Sequence, residues 1–251
     1  MPSIISVHSF RGGTGKSNVT ANVAALLAAG GRRVGVVDTD IQSPGIHILF
    51  GLDTERVTHS LNDYLWGRCA IEQAAHDVTP GLSSEITGQV WLIPSSLRAG
   101  DIARVLREGY DVGLLSDGYE KLGRELGLDV LIIDTHPGLN EETLLSIALS
   151  DGLAILLRPD QQDYQGTGVT VEVARKLEVP RMLLVINKIP PALDPAVCRA
   201  QVEQTYGCAV AAALPYSEEM LNLASGGVFA LRFPEHPLTT IYRDLATALV
   251  P

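Results

Sequence analysis

A chain of 251 residues with 46% hydrophobic and 19% charged side chains holds enough aliphatic material for an α/β core and is too apolar for a disordered polypeptide. Its formal net charge of −10 excludes the overall positive field of a dedicated nucleic-acid binder. The cysteines Cys69, Cys198 and Cys208 are odd in number and too widely spaced for a Cys-x-x-Cys metal or redox motif, so free thiols in a reducing cytoplasm are expected.

The opening Met1-Pro2-Ser3-Ile4-Ile5-Ser6-Val7 has no charged leader before a long apolar segment, so no secretion signal is expected. No stretch approaches the roughly 20 apolar residues of a bilayer span. A β-branched run predicts a first strand over 4–9, followed by a helix over 16–29 that Gly30-Gly31 ends. A second strand is expected over 33–38. The excursion over 50–88 is the least readable part, with a short helix expected over 60–66. Next come a strand over 90–94, helices over 102–106 and 118–126, a strand over 130–134 and a helix over 141–149. Strands over 153–157, 182–187 and 210–214 then alternate with helices over 167–177, 195–206, 218–224 and 237–249. Asp194 and Pro195 suit the N-cap and first turn of the helix over 195–206.

Continuous apolar runs such as Val130-Leu131-Ile132-Ile133 fit strands buried on both faces. The alternation therefore predicts a single α/β domain over 1–251: a mainly parallel, twisted sheet of about seven or eight strands, flanked by helices on both faces.

The first strand runs into Phe10-Arg11-Gly12-Gly13-Thr14-Gly15-Lys16-Ser17 and then an alanine-rich helix. Strand, glycine loop and helix in this order aim backbone N–H groups and a helix N-terminus at phosphates. Lys16 would neutralise β/γ-phosphate charge and the Ser17 hydroxyl would ligate Mg²⁺, so ATP and Mg²⁺ are the expected ligands. The second strand ends in Asp38-Thr39-Asp40, whose like charges make most sense beside Mg²⁺ and Lys16.

Phe10 stands where the usual Walker A loop has its first glycine, while Gly12-Gly13-Thr14-Gly15-Lys16-Ser17 resembles the deviant Walker A loop of the MinD/ParA family. The resemblance implies a P-loop NTPase fold and nucleotide contacts from Gly12, Gly13, Thr14, Gly15, Lys16, Ser17 and Asn18. That family carries at position 11 a signature lysine, which reaches the partner's nucleotide across an ATP-sandwiched dimer. This chain has Arg11, which keeps the charge with a different geometry. It is either the trans phosphate contact or a solvated loop residue.

By the same resemblance, Asp38 sits in the outer shell of the metal, Asp40 orients the attacking water, and Asp134 holds a metal-bound water at the end of a Walker B strand. Gly138 in Thr135-His136-Pro137-Gly138 would offer its N–H to the γ-phosphate. The family often places a small residue and proline directly after the aspartate, so His136 is a departure; it is expected as a loop side chain rather than a switch contact. Asn187 is assigned to the adenine edge, with a strand-end cap as the alternative, and Pro215 to the base pocket.

Within the family, an iron–sulfur carrier needs cluster cysteines and a tyrosine kinase a tyrosine-rich tail. The tail from Tyr242 to Pro251 lacks both that and the basic amphipathic segment of MinD, so no direct membrane anchor is expected. Arg175, Lys176, Arg181, Arg199, Arg232 and Arg243 are scattered among more numerous acids, so non-specific DNA binding is not favoured. The resemblance implies a cytoplasmic ATPase, slow and partner-stimulated. It would form an ATP-dependent homodimer, recruit a protein activator or cargo adaptor, and act as a switch that positions a cargo. The alternatives are an ATP-binding regulatory protein with little hydrolysis, and an ATP-dependent metabolic or metallocluster-assembly enzyme.

Overall fold

The computed structural model describes residues 1–83 and 86–250. The expected excursion over 50–88 and tail over 242–251 include Ser84, Glu85 and Pro251, which lie outside the described residues. The chain runs β1 (Ser3–His8), α1 (Lys16–Ala29), β2 (Arg33–Asp38), α2 (Ile46–Leu49), α3 (Leu61–Leu65), β3 (His76–Asp77), β4 (Gln89–Ile93), α4 (Ala99–Glu108), α5 (Gly113–Glu125) and β5 (Val130–Asp134). It continues through α6 (Glu141–Ala148), β6 (Gly152–Leu157), α7 (Gln161–Lys176), β7 (Arg181–Ile189), α8 (Pro195–Tyr206), β8 (Val210–Pro215), α9 (Glu218–Leu223), α10 (Phe229–Arg232) and α11 (Pro237–Leu249).

Among the described residues, eight strands form one sheet in the order β3-β4-β2-β5-β1-β6-β7-β8, parallel throughout except for the short edge strand β3, which runs antiparallel to β4. Alternate residues of the central strands point to opposite faces. Val36 and Ile132 join the core under α1 and α11, whereas Val37, Leu131 and Ile133 join the core under α3 and α5. On that second face, Leu153, Ile155 and Leu157 of β6 pack under α7 and α8. This double burial explains the unbroken apolar runs: neither face of β5 or β6 meets water. With both sides covered, the functional residues gather where parallel sheets open to ligands, beyond the carboxyl ends of the central strands.

The expected sheet and its helices are therefore present, with several bounds corrected. The helix expected over 167–177 starts six residues earlier, at Gln161, because Asp160 caps it by accepting a 3.0 Å hydrogen bond from Asp163 N. The polar Gln161-Gln162-Asp163 turn carries no apolar periodicity to announce a helix. Gly166 inside it admits the Phe10 ring, whose Cδ1 would lie 2.2 Å from an added Cβ. The helices expected over 102–106 and 118–126 are longer, as α4 and α5. The short helix expected over 60–66 is α3, opened by a capping box between Ser60 and Asp63. The edge strand β3 and the single-turn helices α2 and α10 were not expected, since two to four residues are too few for a periodic signal.

Candidate functional site

The loop from β1 to α1 ends at Gly15, the N-cap of α1, with φ of 99°. A Cβ there would stand 2.4 Å from Asn187 Nδ2, so the left-handed turn and the close approach both demand glycine. Asn187 donates from Nδ2 to Thr14 O (2.7 Å), and Lys188 Nζ donates to Gly13 O (2.9 Å). Two neighbouring residues of β7 thus clip the loop in place. The first turn of α1 holds no acidic residue, whereas α6 and α7 carry Glu141, Glu142 and Asp163 in theirs. An acid in the first turn offsets the positive end of a helix dipole, so α1 is left to take its counter-charge from an anion.

Behind that turn, the strand register sets Asp38 beside Asp134 at the ends of β2 and β5, both fully buried. Thr20 Oγ1 donates to Asp134 Oδ1 (3.1 Å), and the Ser17 hydroxyl bonds the same carboxylate. Asp38 Oδ1 accepts from Asp40 N (3.0 Å), while Asp38 Oδ2 is buried without a hydrogen-bond partner that meets ordinary geometry among the described residues. Burial, reinforced by the charge of Asp134, holds the Asp38 carboxyl well above its ordinary range. Burial likewise pushes Asp134 up to about 6, against the Ser17 bond and the Lys16 charge. Burial lowers Lys16, opposed by the pull of Asp134, Asp40 and Asp38. Two desolvated carboxylates facing one lysine leave negative charge without a full partner, a state that a cation relieves. The Ser17 hydroxyl and the hard oxygens of Asp38 and Asp134 fit Mg²⁺, with water and phosphate oxygens completing its shell. Among the described residues no three His, Cys, Asp or Glu side chains converge into a metal cage of their own.

Asp40 lies outside this buried pair, about four-fifths shielded. Its Oδ1 accepts from Ser43 N (3.1 Å) and from His136 Nδ1 (2.7 Å). His136, expected as a loop side chain, is thus in direct contact with Asp40. That hydrogen bond is the main cause that raises the His136 pKa, against partial burial. Thr135 is pinned beneath it: Thr135 Oγ1 donates to Val7 O (3.0 Å) and bonds His8 Nδ1 (2.8 Å). Burial first, then the charges of Lys16 and His136, push His8 down to about 3.

A cavity of about 350 Å³ is lined by Gly12, Gly13, Lys16, Asp40, His136 and Pro137. A second, of about 270 Å³, is lined by Asn187, Pro215, Tyr216 and Leu221. Gly15 and Asn18 line both, so the two form one groove with a charged end and an apolar end.

Three residues assigned to nucleotide contacts make contacts within the chain. Gly138 donates its N–H to Ser9 O (3.2 Å), inside the protein. Asn187 lies within β7, which continues to Ile189, so it is not a strand-end cap. Its amide is spent on Thr14 O and on accepting Lys188 N (2.9 Å), while the side chain still borders the apolar cavity. Arg11 turns to the start of α7, where its NH1 lies 3.2 Å from Asp163 Oδ1 and 3.5 Å from Asp160 Oδ1. Arg158 shares both acids, at 3.0 Å and 3.1 Å. Burial alone would raise Asp163, but hydrogen bonds from Arg158 and the charges of Arg158 and Arg11 outweigh it and hold the carboxyl low. Lys188 and Leu221 were missed at the site; the polar Asn187-Lys188 pair after an apolar run was the available signal for the first, and nothing local marked the second.

The profile of the CobQ/CobB/MinD/ParA nucleotide binding domain matches residues 5–228. An uncharacterized ATP-binding protein of Methanocaldococcus jannaschii is 26% identical over 251 residues, covering 100% of this chain and 88% of that one. The iron-sulfur cluster carrier protein of Pseudomonas fragi is 28% identical over 261 residues, covering 97% and 84%. Among solved structures, the septum site-determining protein MinD of Pyrococcus horikoshii, complexed with Mg-ADP, is similar with a TM-score of 0.79 at 21% identity, over 99% of this chain and 96% of that one.

Proposed function

The chain belongs to the CobQ/CobB/MinD/ParA family of nucleotide-binding domains, and from that premise we propose that it is a Mg·ATP-dependent ATPase working as a dimerising switch that positions a cellular cargo or partner. The observation that carries this reading is the buried cluster of Lys16, Asp38 and Asp134 beneath a glycine loop, with Asp40 beside it at the mouth of the groove. Gly12 to Asn18 would wrap the phosphates, Ser17 would hold Mg²⁺, and Asp38 and Asp134 would hold the water around it. Asp40 takes the water that attacks the terminal phosphorus, which leaves as inorganic phosphate with ADP as the other product. Bound Mg²⁺ neutralises phosphate charge; Lys16 supplies the remaining positive charge from the protein. Asn187 and Pro215 border the base.

A switch needs two states, and three internal contacts could be exchanged between them. The Gly138 N–H is held by Ser9 O and Arg11 by Asp160 and Asp163, while Asn187 braces Thr14. Gly138 reaches the γ-phosphate only by leaving Ser9, and Arg11 reaches a partner's nucleotide only by leaving α7. ATP binding would thus exchange internal contacts for ligand and dimer contacts. A protein activator would act on the same exchange. No helix among the described residues is long and apolar enough to cross a membrane.

The Pseudomonas fragi relative is an iron–sulfur cluster carrier by name. In this chain Cys69 packs against the core under α3 and α5, whereas Cys198 and Cys208 belong to the core under α7 and α8. These thiols do not support a shared cluster site, so the positional switch is the better reading.

The deciding experiment measures ATP binding, phosphate release and oligomeric state for the wild type and Asp40→Ala. The wild type should release phosphate slowly. Asp40→Ala should bind ATP with unchanged affinity and accumulate as a dimer. Normal turnover by Asp40→Ala refutes the role assigned to Asp40, and a wild type that binds ATP yet releases no phosphate favours the regulatory protein with little hydrolysis.

A further inference from the structure

We infer that His136 is a positioning residue for ATP hydrolysis, fixing the Asp40 carboxylate and tying it to the loop that carries Gly138. The inference rests on the proposed role of Asp40 in orienting the attacking water.

A carboxylate turns easily about its last torsion, which is broad and roughly two-fold. A residue that must present one oxygen to a water needs its other oxygen held. Both hydrogen bonds to the Asp40 side chain fall on Oδ1, from Ser43 N and His136 Nδ1. Since a carboxylate only accepts, the His136 Nδ1 carries the hydrogen of that bond. The two donors come from different loops, 3 residues and 96 residues away in the chain, so together they set both the position and the plane of the carboxylate.

His136 can do this because its own backbone is braced. Thr135 is fixed to β1 through its N–H (3.2 Å) and hydroxyl (3.0 Å), both on Val7 O. Thr143 Oγ1 donates to His136 O (3.4 Å), and Pro137 restricts the peptide that follows. The ring is four-fifths buried, so its bond to Asp40 is well shielded from competing water.

The same placement joins two movements. His136 lies two residues before Gly138, whose N–H donates to Ser9 O and is the group proposed to meet the γ-phosphate. A shift of this loop on ATP binding would reach Asp40 through the His136 ring. Replacing the ring by a side chain without a donor should leave ATP affinity intact and slow the chemical step.

The test is single-turnover hydrolysis and equilibrium ATP binding, with Mg²⁺, for the wild type, His136→Ala, His136→Asn, Asp40→Ala and the Asp40→Ala/His136→Ala double variant. Asn keeps a side-chain N–H near the place of Nδ1. His136→Ala should bind ATP within about twofold of the wild type and hydrolyse it at least tenfold more slowly, as expected for losing a hydrogen bond to a charged group. His136→Asn should recover most of the rate. In the Asp40→Ala background the His136 substitution should change nothing further, because the two act through one contact. Wild-type hydrolysis by His136→Ala overturns the inference while leaving the Asp40 assignment standing. A slow His136→Ala that Asn does not rescue, or an additive double variant, also overturns it. Absence of hydrolysis in the ATP-bound wild type removes both this inference and the switch reading.

Discussion

The two ends of the groove are built from opposite materials. The charged end, proposed to take phosphate, gathers Lys16, Asp38 and Asp134 out of water, under a loop whose backbone is clipped by Asn187 and Lys188. The other end, proposed to take the base, is an open apolar surface in which Tyr216 and Leu221 remain 44% and 63% exposed. Desolvated charges in the first region must be balanced by a ligand of defined charge and geometry, whereas the second gains only from covering apolar area. On the proposed function, the difference concentrates binding energy and selectivity for phosphate and metal at one end and makes base recognition the weaker, more adaptable part.

Four measurements break or sharpen that contrast. Lys16→Ala removes the counter-charge shared by three carboxylates and should weaken Mg·ATP binding by roughly 30-fold or more. An affinity within a few-fold of wild type, by calorimetry, means that the charged end is not where binding energy resides. Gly15→Ala forces a side chain into a φ of 99° and against Asn187 Nδ2, and should lower stability by about 1–3 kcal/mol. Unchanged thermal melting would show that the loop is less tightly clipped than its contacts suggest.

Buried His8 gives a pH test of the charged end. Its folded pKa is depressed from 6.5 to about 3, so between these values the unfolded chain binds a proton that the folded chain does not. Its contribution to stability is therefore present above 6.5 and is lost as pH falls toward about 3, at a slope of at most about 1.4 kcal/mol per pH unit. Asp134 works in the other direction, because a carboxyl raised to about 6 takes up its proton first in the folded state. Denaturant melts of the wild type and His8→Asn across this range separate the two; identical pH slopes rule out a His8 contribution. The smallest effect belongs to the base end. Tyr216→Ala should reduce nucleotide affinity by roughly 2–10-fold, as expected for losing one aromatic contact, and should affect GTP and ATP to different degrees. A loss as large as that of Lys16→Ala would erase the contrast between the ends.

Most of the fold was legible because its signals are local. The apolar runs of the parallel strands, the glycine loop before an alanine-rich helix, and the Asp38 and Asp134 strand ends each lie within about ten consecutive residues, the range over which periodicity and turn chemistry act. The short edge strand β3 and the start of α7 were not legible, because a two-residue pairing has no period and the cap of α7 lies in a polar turn.

Sequence alone determined the alternation of the main strands and helices, the burial of the sheet on both faces, and the placing of Lys16, Asp38 and Asp134 at element ends. Tertiary structure decided what those residues hold: Arg11 pairs with Asp163 at a separation of 152 residues, Asn187 with Thr14 at 173, and His136 with Asp40 at 96. No local pattern encodes such partners. They are chosen when the parallel register brings separate strand ends together and each buried polar group must find its bond in the space that remains.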